Sequence, residues 1–400
     1  MGIVIPGRAL AVHRAGQSCA EADPIFRGID EVVLRLEAVL GDVANRMWVM
    51  TFHAACGRIL RREAPRLAYK SNFTIYDQAD QVRVVKAIVE EEGWDPKRFV
   101  PRGIHAQISN AKNQLVGPDE YANRVGSFYE QTVAAVYERY QRRLHASNAM
   151  DFDDLIMQTV EILERFPEAR EKWQKAFRYV LVDEYQDTNH AQYRLLQLLA
   201  GKHGNVFAVG DPDQSIYAFR GADIRNILEF ERDFGGAQTI ALEQNYRSTN
   251  AILRAANAVI SHNRERKPKD LFSELGEGDP VQVIEVEDEH AEARYVAAEI
   301  AGLVEHGHAG AEIAVFYRTN AQSRVLEDIL VRQEIPYQVI GGPRFYERAE
   351  VKDAVAYLQV IDNPFDGVSL ARIANRPRRG IGDASIARIQ AFADAQGISL

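Results

Sequence analysis

The chain has 400 residues, 46% apolar and 26% charged, with a net charge of −9. That length calls for two to four folded units, and the balance of apolar to charged residues excludes an intrinsically disordered chain. No apolar run is long enough to span a bilayer, Pro6 and Arg8 interrupt the apolar start and make it a poor signal peptide, and the two cysteines, Cys19 and Cys56, argue against a disulfide framework and for a reducing, cytoplasmic setting. The acidic balance lends no support to nucleic-acid binding, so any such reading must come from motifs.

In chain order, the first forty residues carry weak local signals and set up no βα unit. Trp48-Val49-Met50-Thr51 reads as a strand entering a helix near His53. From Asp77 to Phe166 the pattern is nearly all helical and highly charged, as in Asp80–Glu92, which stops at Gly93. Short apolar strands then alternate with helices. Tyr179–Val182, Val206–Val209, Thr239–Leu242, Val281–Val286, Ile313–Tyr317 and Tyr337–Ile340 read as strands. Ala191–Ala200, Ala251–Ser261 (with Ser248 or Thr249 as N-cap) and Ala291–Val304 read as helices. Buried strands followed by helices predict parallel sheets. From Asp366 the pattern is helical again.

Three sites carry chemistry. Val180-Leu181-Val182-Asp183-Glu184 delivers two adjacent carboxylates to the C-terminal end of an apolar strand, the edge where open α/β sheets bind ligands. In a nucleotide hydrolase the first holds Mg²⁺ and the second polarises the attacking water; the plain alternative is a strand end with solvated acids. Gly210-Asp211-Pro212-Asp213-Gln214 leaves a second strand and runs on through Tyr217, Phe219 and Arg220. Gln214 can sense a phosphate, the aromatics can stack on bases and Arg220 can meet a phosphate; alone, the same residues make an ordinary turn with Phe219 in a core. Gln244-Asn245-Tyr246-Arg247-Ser248-Thr249 lies between a strand and a helix. Arg247 is placed like an arginine finger and Tyr246 can stack on adenine; alone, this is a turn with a surface arginine.

Together the three resemble the UvrD/Rep/PcrA-type superfamily 1 DNA helicases. VLVDEYQDTN, VGDPDQSIYAFRGADI and LEQNYRSTNAIL match successive family motifs, and TFHAACGRILR, NAMDFDDLI, IAVFYRTNAQSRVLE, GGPRFYERAEVKDAVAYL and NRPRRGIGDASIARI agree in one register from about Asp42 to Leu400. The resemblance implies an α/β fold of RecA-like parallel-sheet motor domains, the first incomplete, with helical insertions. Residues 1–41 form an atypical segment, 42–76 and 167–240 a partial first motor domain, 77–166 a helical insertion, 241–365 part of a second motor domain, and 366–400 the start of a second helical domain. It implies ATP and Mg²⁺ as cofactors, single-stranded DNA and single/double-strand junctions as partners beside possible repair proteins, 3′-to-5′ translocation, and work in DNA repair or replication. By residue, Asp183 would coordinate Mg²⁺, Glu184 act as base, Gln214 couple the γ-phosphate to DNA, Arg247 contact that phosphate and Tyr246 stack on adenine. Thr51, His53, Tyr217, Phe219, Arg220, Arg318 and Asn320 would line the single strand. Gly380 and Gly382, with Arg376, Arg378 and Arg379 nearby, would meet duplex phosphates.

The chain departs from the family in one respect that matters chemically. A phosphate-binding loop needs Gly-x-x-x-x-Gly-Lys-[Ser/Thr], and the Gly-Lys step here, Gly201-Lys202, is followed by His203. Where the family carries that loop, this chain has MGIVIPGRALAVHRAGQSC. The family's later motifs are also not found. The expectation is an incomplete chain that hydrolyses ATP poorly or not at all, whose first sheet lacks one strand and bares apolar surface; the alternative to a helicase enzyme is a catalytically inactive DNA-binding fragment.

Overall fold

The computed structural model describes residues 2–5, 24–263, 266–340 and 349–396. Its main sheet has four parallel strands. In chain order the strands are β1 (Gly2–Ile5), β2 (Trp48–Val49), β3 (Thr74–Ile75), β4 (Ala149–Met150), β5 (Tyr179–Val182) and β6 (Val206–Ala208). The main sheet runs β2-β1-β5-β6, and β3 and β4 make a separate parallel ribbon. Here the structure corrects the sequence reading of the N-terminal segment. β1 is interior, with Ile3 registered on Trp48 at one edge and on Val180 at the other. Four residues are too few for a period to show, and the strand is decided by the backbone partners waiting on both sides. The expected gap is therefore filled, and Val180 and Val182 beside it are buried. The remainder of the unmatched stretch, residues 6–19, lies outside the described residues.

The first core packs the helices Phe52–Glu63, Phe152–Arg165 and His190–Ala200 against this sheet. Each has a wide apolar stripe, with Ile59 and Leu60, Ile162 and Leu163, and Leu195 and Leu196 turned inward. Trp48, Trp173 and Phe177 form an aromatic cluster with centroids 5.0–5.7 Å apart. Each helix start has a side-chain cap. Thr51 accepts from the Ala54 amide at 3.3 Å, and Asp151 and Asn189 form reciprocal capping boxes with Asp154 and Gln192.

A second core belongs to the helical stretch. The helices Gln78–Glu91, Pro101–Asn113 and Phe128–Ala146 enclose Val85, Ile88, Ile104, Val136, Tyr137 and Leu144. The first of these starts two residues before its expected position because Asp77 caps it, and it stops at Gly93, whose φ of +70° is left-handed. The β3–β4 ribbon joins the two cores. It is sealed by Asn363, whose amide donates to Thr74 Oγ1 and the Ser147 carbonyl at 3.0 Å and to the Asn148 carbonyl at 3.1 Å.

Between the cores lies a dry ionic cluster. Lys112 Nζ donates to Asp151 Oδ2 at 2.7 Å and to Asp154 Oδ1 at 2.8 Å, with all three side chains buried. Tyr140 Oη and Gln141 Nε2 donate to the same two carboxylates. Against the cost of burial, the two aspartates hold Lys112 above the usual lysine range. Burial and Asp151 push the Asp154 carboxyl up to about 7, with Lys112 opposing. A carboxyl whose folded pKa exceeds its unfolded value binds protons preferentially in the native state, so this group's contribution to stability falls as pH rises from about 4 to about 7. The stability advantage of the wild type over Asp154→Asn is expected to narrow across that window in urea unfolding at pH 5, 6 and 7; a constant difference would contradict it.

The second half departs from expectation. The helices Asn250–Ile260 and Glu289–Glu305 form where the sequence predicts them; Ser323–Arg332 is a further helix that the sequence reading did not mark, and it shares with Glu289–Glu305 a small core of Ala293, Ala297, Ile300, Ile329 and Leu330. Thr249 occupies the N-cap position of the first without a side-chain cap bond. The four runs expected as strands, Thr239–Leu242, Val281–Val286, Ile313–Tyr317 and Tyr337–Ile340, form no ladder among the described residues. Val283 is 94% and Phe316 93% exposed. An apolar run states a preference for burial, but a strand exists only where another chain segment accepts its hydrogen bonds. Among the described residues the one pairing nearby is an isolated bridge between Gln244 and Phe272. Residues 341–348 of the GGPRFYERAEVKDAVAYL stretch lie outside the described residues.

Candidate nucleotide and nucleic-acid site

β5 ends at Val182 and presents Asp183 and Glu184 at the C-terminal edge of the sheet. Glu184 has φ +51° and ψ +43°, a left-handed conformation that costs a non-glycine residue about 1–3 kcal/mol and persists only where the surroundings impose it. They do so here. The Glu184 amide donates to Asp183 Oδ1 at 3.0 Å, and Gln186 Nε2 donates to Glu184 Oε2 at 2.8 Å. The fully buried Gln186 was not singled out in the sequence, where it is one amide within an acidic motif. Its Oε1 accepts from the Asp211 amide at 2.9 Å, so one side chain ties the acidic strand end to the motif after β6. Gly210 makes this possible, because a Cβ there would lie 2.5 Å from Gln186 Oε1 and 2.8 Å from Ile227 Cδ1.

Asp211 then organises the turn Pro212–Gln214. It accepts from the Asp213 amide at 3.0 Å and from Gln214 Nε2 at 2.8 Å. Beyond the turn, Tyr217 and Phe219 have ring centroids 6.0 Å apart, and Phe219 is 74% exposed. That exposure places Phe219 outside any core, against the plain alternative reading of this turn. The Arg220 side chain lies outside the described residues. Gly221 follows with φ +84°, and the Asn189–Ala222 bridge returns the segment to the strand-end motif.

Thr51 is the N-cap of the helix Phe52–Glu63, and the His53 ring stands edge-on to Phe152 at 5.9 Å. Burial holds the His53 imidazole below the usual histidine range, with Asp151 pulling the other way. The shift favours the neutral ring at pH 7.

The remaining candidates sit on other parts of the surface. Tyr246 is 79% exposed, and Asn245 Oδ1 accepts the Arg247 and Ser248 amides at 2.9 and 2.8 Å in a turn that presents both side chains outward. Among the described residues no hydrogen bond or ion pair joins Arg247 to Asp183, Glu184 or Gln214. Arg318 and Asn320 are exposed at the start of the helix Ser323–Arg332. Gly380, with φ +75°, and Gly382 lie in an exposed loop. Of the arginines beside them, Arg379 is already engaged. It donates to the carbonyls of Ile373 and Arg376 at 2.8 and 2.9 Å and to Tyr357 Oη at 2.7 Å. These bonds to neutral acceptors fasten the loop and leave the Arg379 charge in place.

For a bound nucleotide the donor set is mixed. Two carboxylates at a strand end suit Mg²⁺, a hard cation that keeps most of its waters. Among the described residues no group of three or more His, Cys, Asp and Glu gathers as a metal cage, and such a cage is not what one water-bridged aspartate requires. The phosphate side has no Gly-x-x-x-x-Gly-Lys-[Ser/Thr] sequence to serve it.

Residues 27–235 match the UvrD/REP helicase N-terminal domain and residues 240–400 the UvrD-like helicase C-terminal domain. The chain belongs to the UvrD/REP helicase family. It is 50% identical over 370 residues to the ATP-dependent DNA helicase PcrA of Staphylococcus epidermidis and 48% identical to the proteins of that name from Bacillus subtilis and Staphylococcus aureus. Each match covers 92% of this chain and 50–51% of the relative, so the chain spans about half the length of the curated relatives it matches. The matched region starts within the helix Pro24–Leu40, downstream of β1.

Proposed function

We propose that this UvrD/REP helicase-family chain carries the ATP-facing and strand-engaging parts of a DNA helicase motor. In this reading it moves 3′ to 5′ on single-stranded DNA, engages single/double-strand junctions, works with repair proteins in DNA repair or replication, and does so in the cytoplasm. Residues 42–76 and 167–240 serve as the first motor half, 77–166 as a helical insertion, 241–365 as the second half, and 366–400 as the start of a second helical part. The observation that carries the reading is the hydrogen-bonded path Glu184–Gln186–Asp211–Gln214, which joins the acidic strand end to the segment bearing Phe219.

ATP would supply the phosphoanhydride whose hydrolysis drives movement, and Mg²⁺ bound with it would neutralise phosphate charge. Asp183 would hold the metal. Glu184 accepts a proton from water at Oε1, since Oε2 is engaged by Gln186. Gln214, one amide proton given to Asp211, keeps a second N–H and its carbonyl for phosphate or water. Tyr246 and Arg247 close on the nucleotide from the second half, while Thr51, His53, Tyr217, Phe219, Arg220, Arg318 and Asn320 track the strand and Gly380 and Gly382 meet the duplex.

A second reading, a DNA-binding chain without turnover, is favoured by the lack of a phosphate-binding loop sequence. Both readings require the strand path. Phe219→Ala is expected to weaken binding of a fluorescent oligothymidylate by about 1–3 kcal/mol, the usual worth of one base–aromatic stack. Unchanged affinity would remove Phe219 from that path. Phosphate release by the wild type, measured with and without single-stranded DNA, separates the two readings.

A further inference from the structure

The mechanism leaves unused the ion pairs on the turn that carries Gln214. After the helix Asn250–Ile260 the chain returns along it, and Arg266 and Lys269 project onto the turn that carries Gln214. Arg266 Nε and Nη2 donate in parallel to Asp213 Oδ1 and Oδ2 at 3.0 and 2.9 Å. Lys269 Nζ donates to Asp211 Oδ1 and lies 3.5 Å from Asp213 Oδ2. Arg266 Nη2 also donates to the Lys269 carbonyl at 3.0 Å, which fixes the two cations relative to each other. The side chains of Arg266 and Asp213 are only 13% and 11% exposed. A bidentate, shielded pair differs in kind from the solvent-exposed pairs that contribute little.

We infer that Arg266 and Lys269 are positioning residues, a cationic clasp from the second half of the chain that sets Gln214, Gln186 and Glu184 through Asp211 and Asp213. Two features carry this. The clasp neutralises two of the four carboxylates gathered on this edge, which lowers the repulsion an incoming polyanion would meet. It also fixes Asp211, whose oxygens hold Lys269 and Gln214 and whose amide is held by Gln186, the residue that orients Glu184. Lys269 draws the Asp211 carboxyl below the usual range against the opposing effect of burial, so the carboxylate stays ionised and able to hold both partners. The role assigned to Gln214 rests on the nucleotide reading above; the clasp itself does not.

The test is hydrogen–deuterium exchange on the full chain without nucleotide, for the wild type, Arg266→Ala, Arg266→Lys and the swap Arg266→Asp with Asp213→Arg. In Arg266→Ala, amides at 184–187, 211 and 213–215 are expected to exchange about two- to 150-fold faster, the range of coupling between contacting groups, while the helices His190–Ala200 and Phe128–Ala146 keep wild-type rates. Arg266→Lys keeps charge without the fork and falls between, and the swap recovers part of the protection. A merely structural role would loosen the chain evenly and gain nothing from the swap. That result, or no change at 184–187 in Arg266→Ala, overturns the clasp. Adding Mg²⁺ and ATP to the wild type tests the other claim separately: no change in exchange there counts against the nucleotide reading, while the comparison made without nucleotide still decides the clasp.

Discussion

Glu184→Gln is expected to lower DNA-stimulated ATP turnover about a hundred- to ten-thousand-fold, the usual worth of a positioned general base, while nucleotide affinity stays near wild type. Glutamine keeps the size of the side chain and can still accept from Gln186 Nε2 through its carbonyl oxygen. It cannot take a proton at the other position. The change therefore removes the chemistry and leaves the path to Asp211 and Gln214 intact. Wild-type turnover is itself expected to be slow, since no phosphate-loop lysine is available to neutralise the transferring group. The measurement is phosphate release from both proteins, with and without single-stranded DNA. Wild-type release equal to that of Glu184→Gln would overturn the catalytic reading in favour of a DNA-binding chain.

Lys112→Met is expected to destabilise the first core by about 3–5 kcal/mol, because it leaves two carboxylates buried without their cation. The loss is larger than an exposed ion pair could produce, since Lys112, Asp151 and Asp154 are all shielded from water. Methionine fills most of the lysine volume, so cavity effects are small beside the charge effect. Urea unfolding followed by tryptophan fluorescence reads the result, since Trp48 and Trp173 lie in the adjoining core. Adding Asp154→Asn to Lys112→Met removes one buried carboxyl left without its cation and is expected to recover part of the loss. A loss below about 1 kcal/mol, the range of exposed pairs, would show that the cluster contributes as a surface pair does.

The same cluster shows where sequence reading stops. Asp151 and Asp154 stand three apart at a helix start within NAMDFDDLI, a stretch that resembles the family, yet Lys112 lies about forty residues away in another helix and nothing in its neighbourhood marks it. Gln186, Arg266 and Lys269 were hidden for the same reason, since each acts through a partner brought to it by packing. What the sequence determined by itself was local or chemical: Asp183 and Glu184 at the end of an apolar strand, a helix entered near His53, the stop at Gly93, and the order of motifs that places the chain in its family. Tertiary structure decided whatever needed a second segment. It made Gly2–Ile5 an interior strand, because strands on both sides accept its hydrogen bonds. It left Val281–Val286 and Ile313–Tyr317 without a ladder, because among the described residues no neighbour does. Local pattern states what a segment can bury or present, and pairing depends on partners distant in sequence.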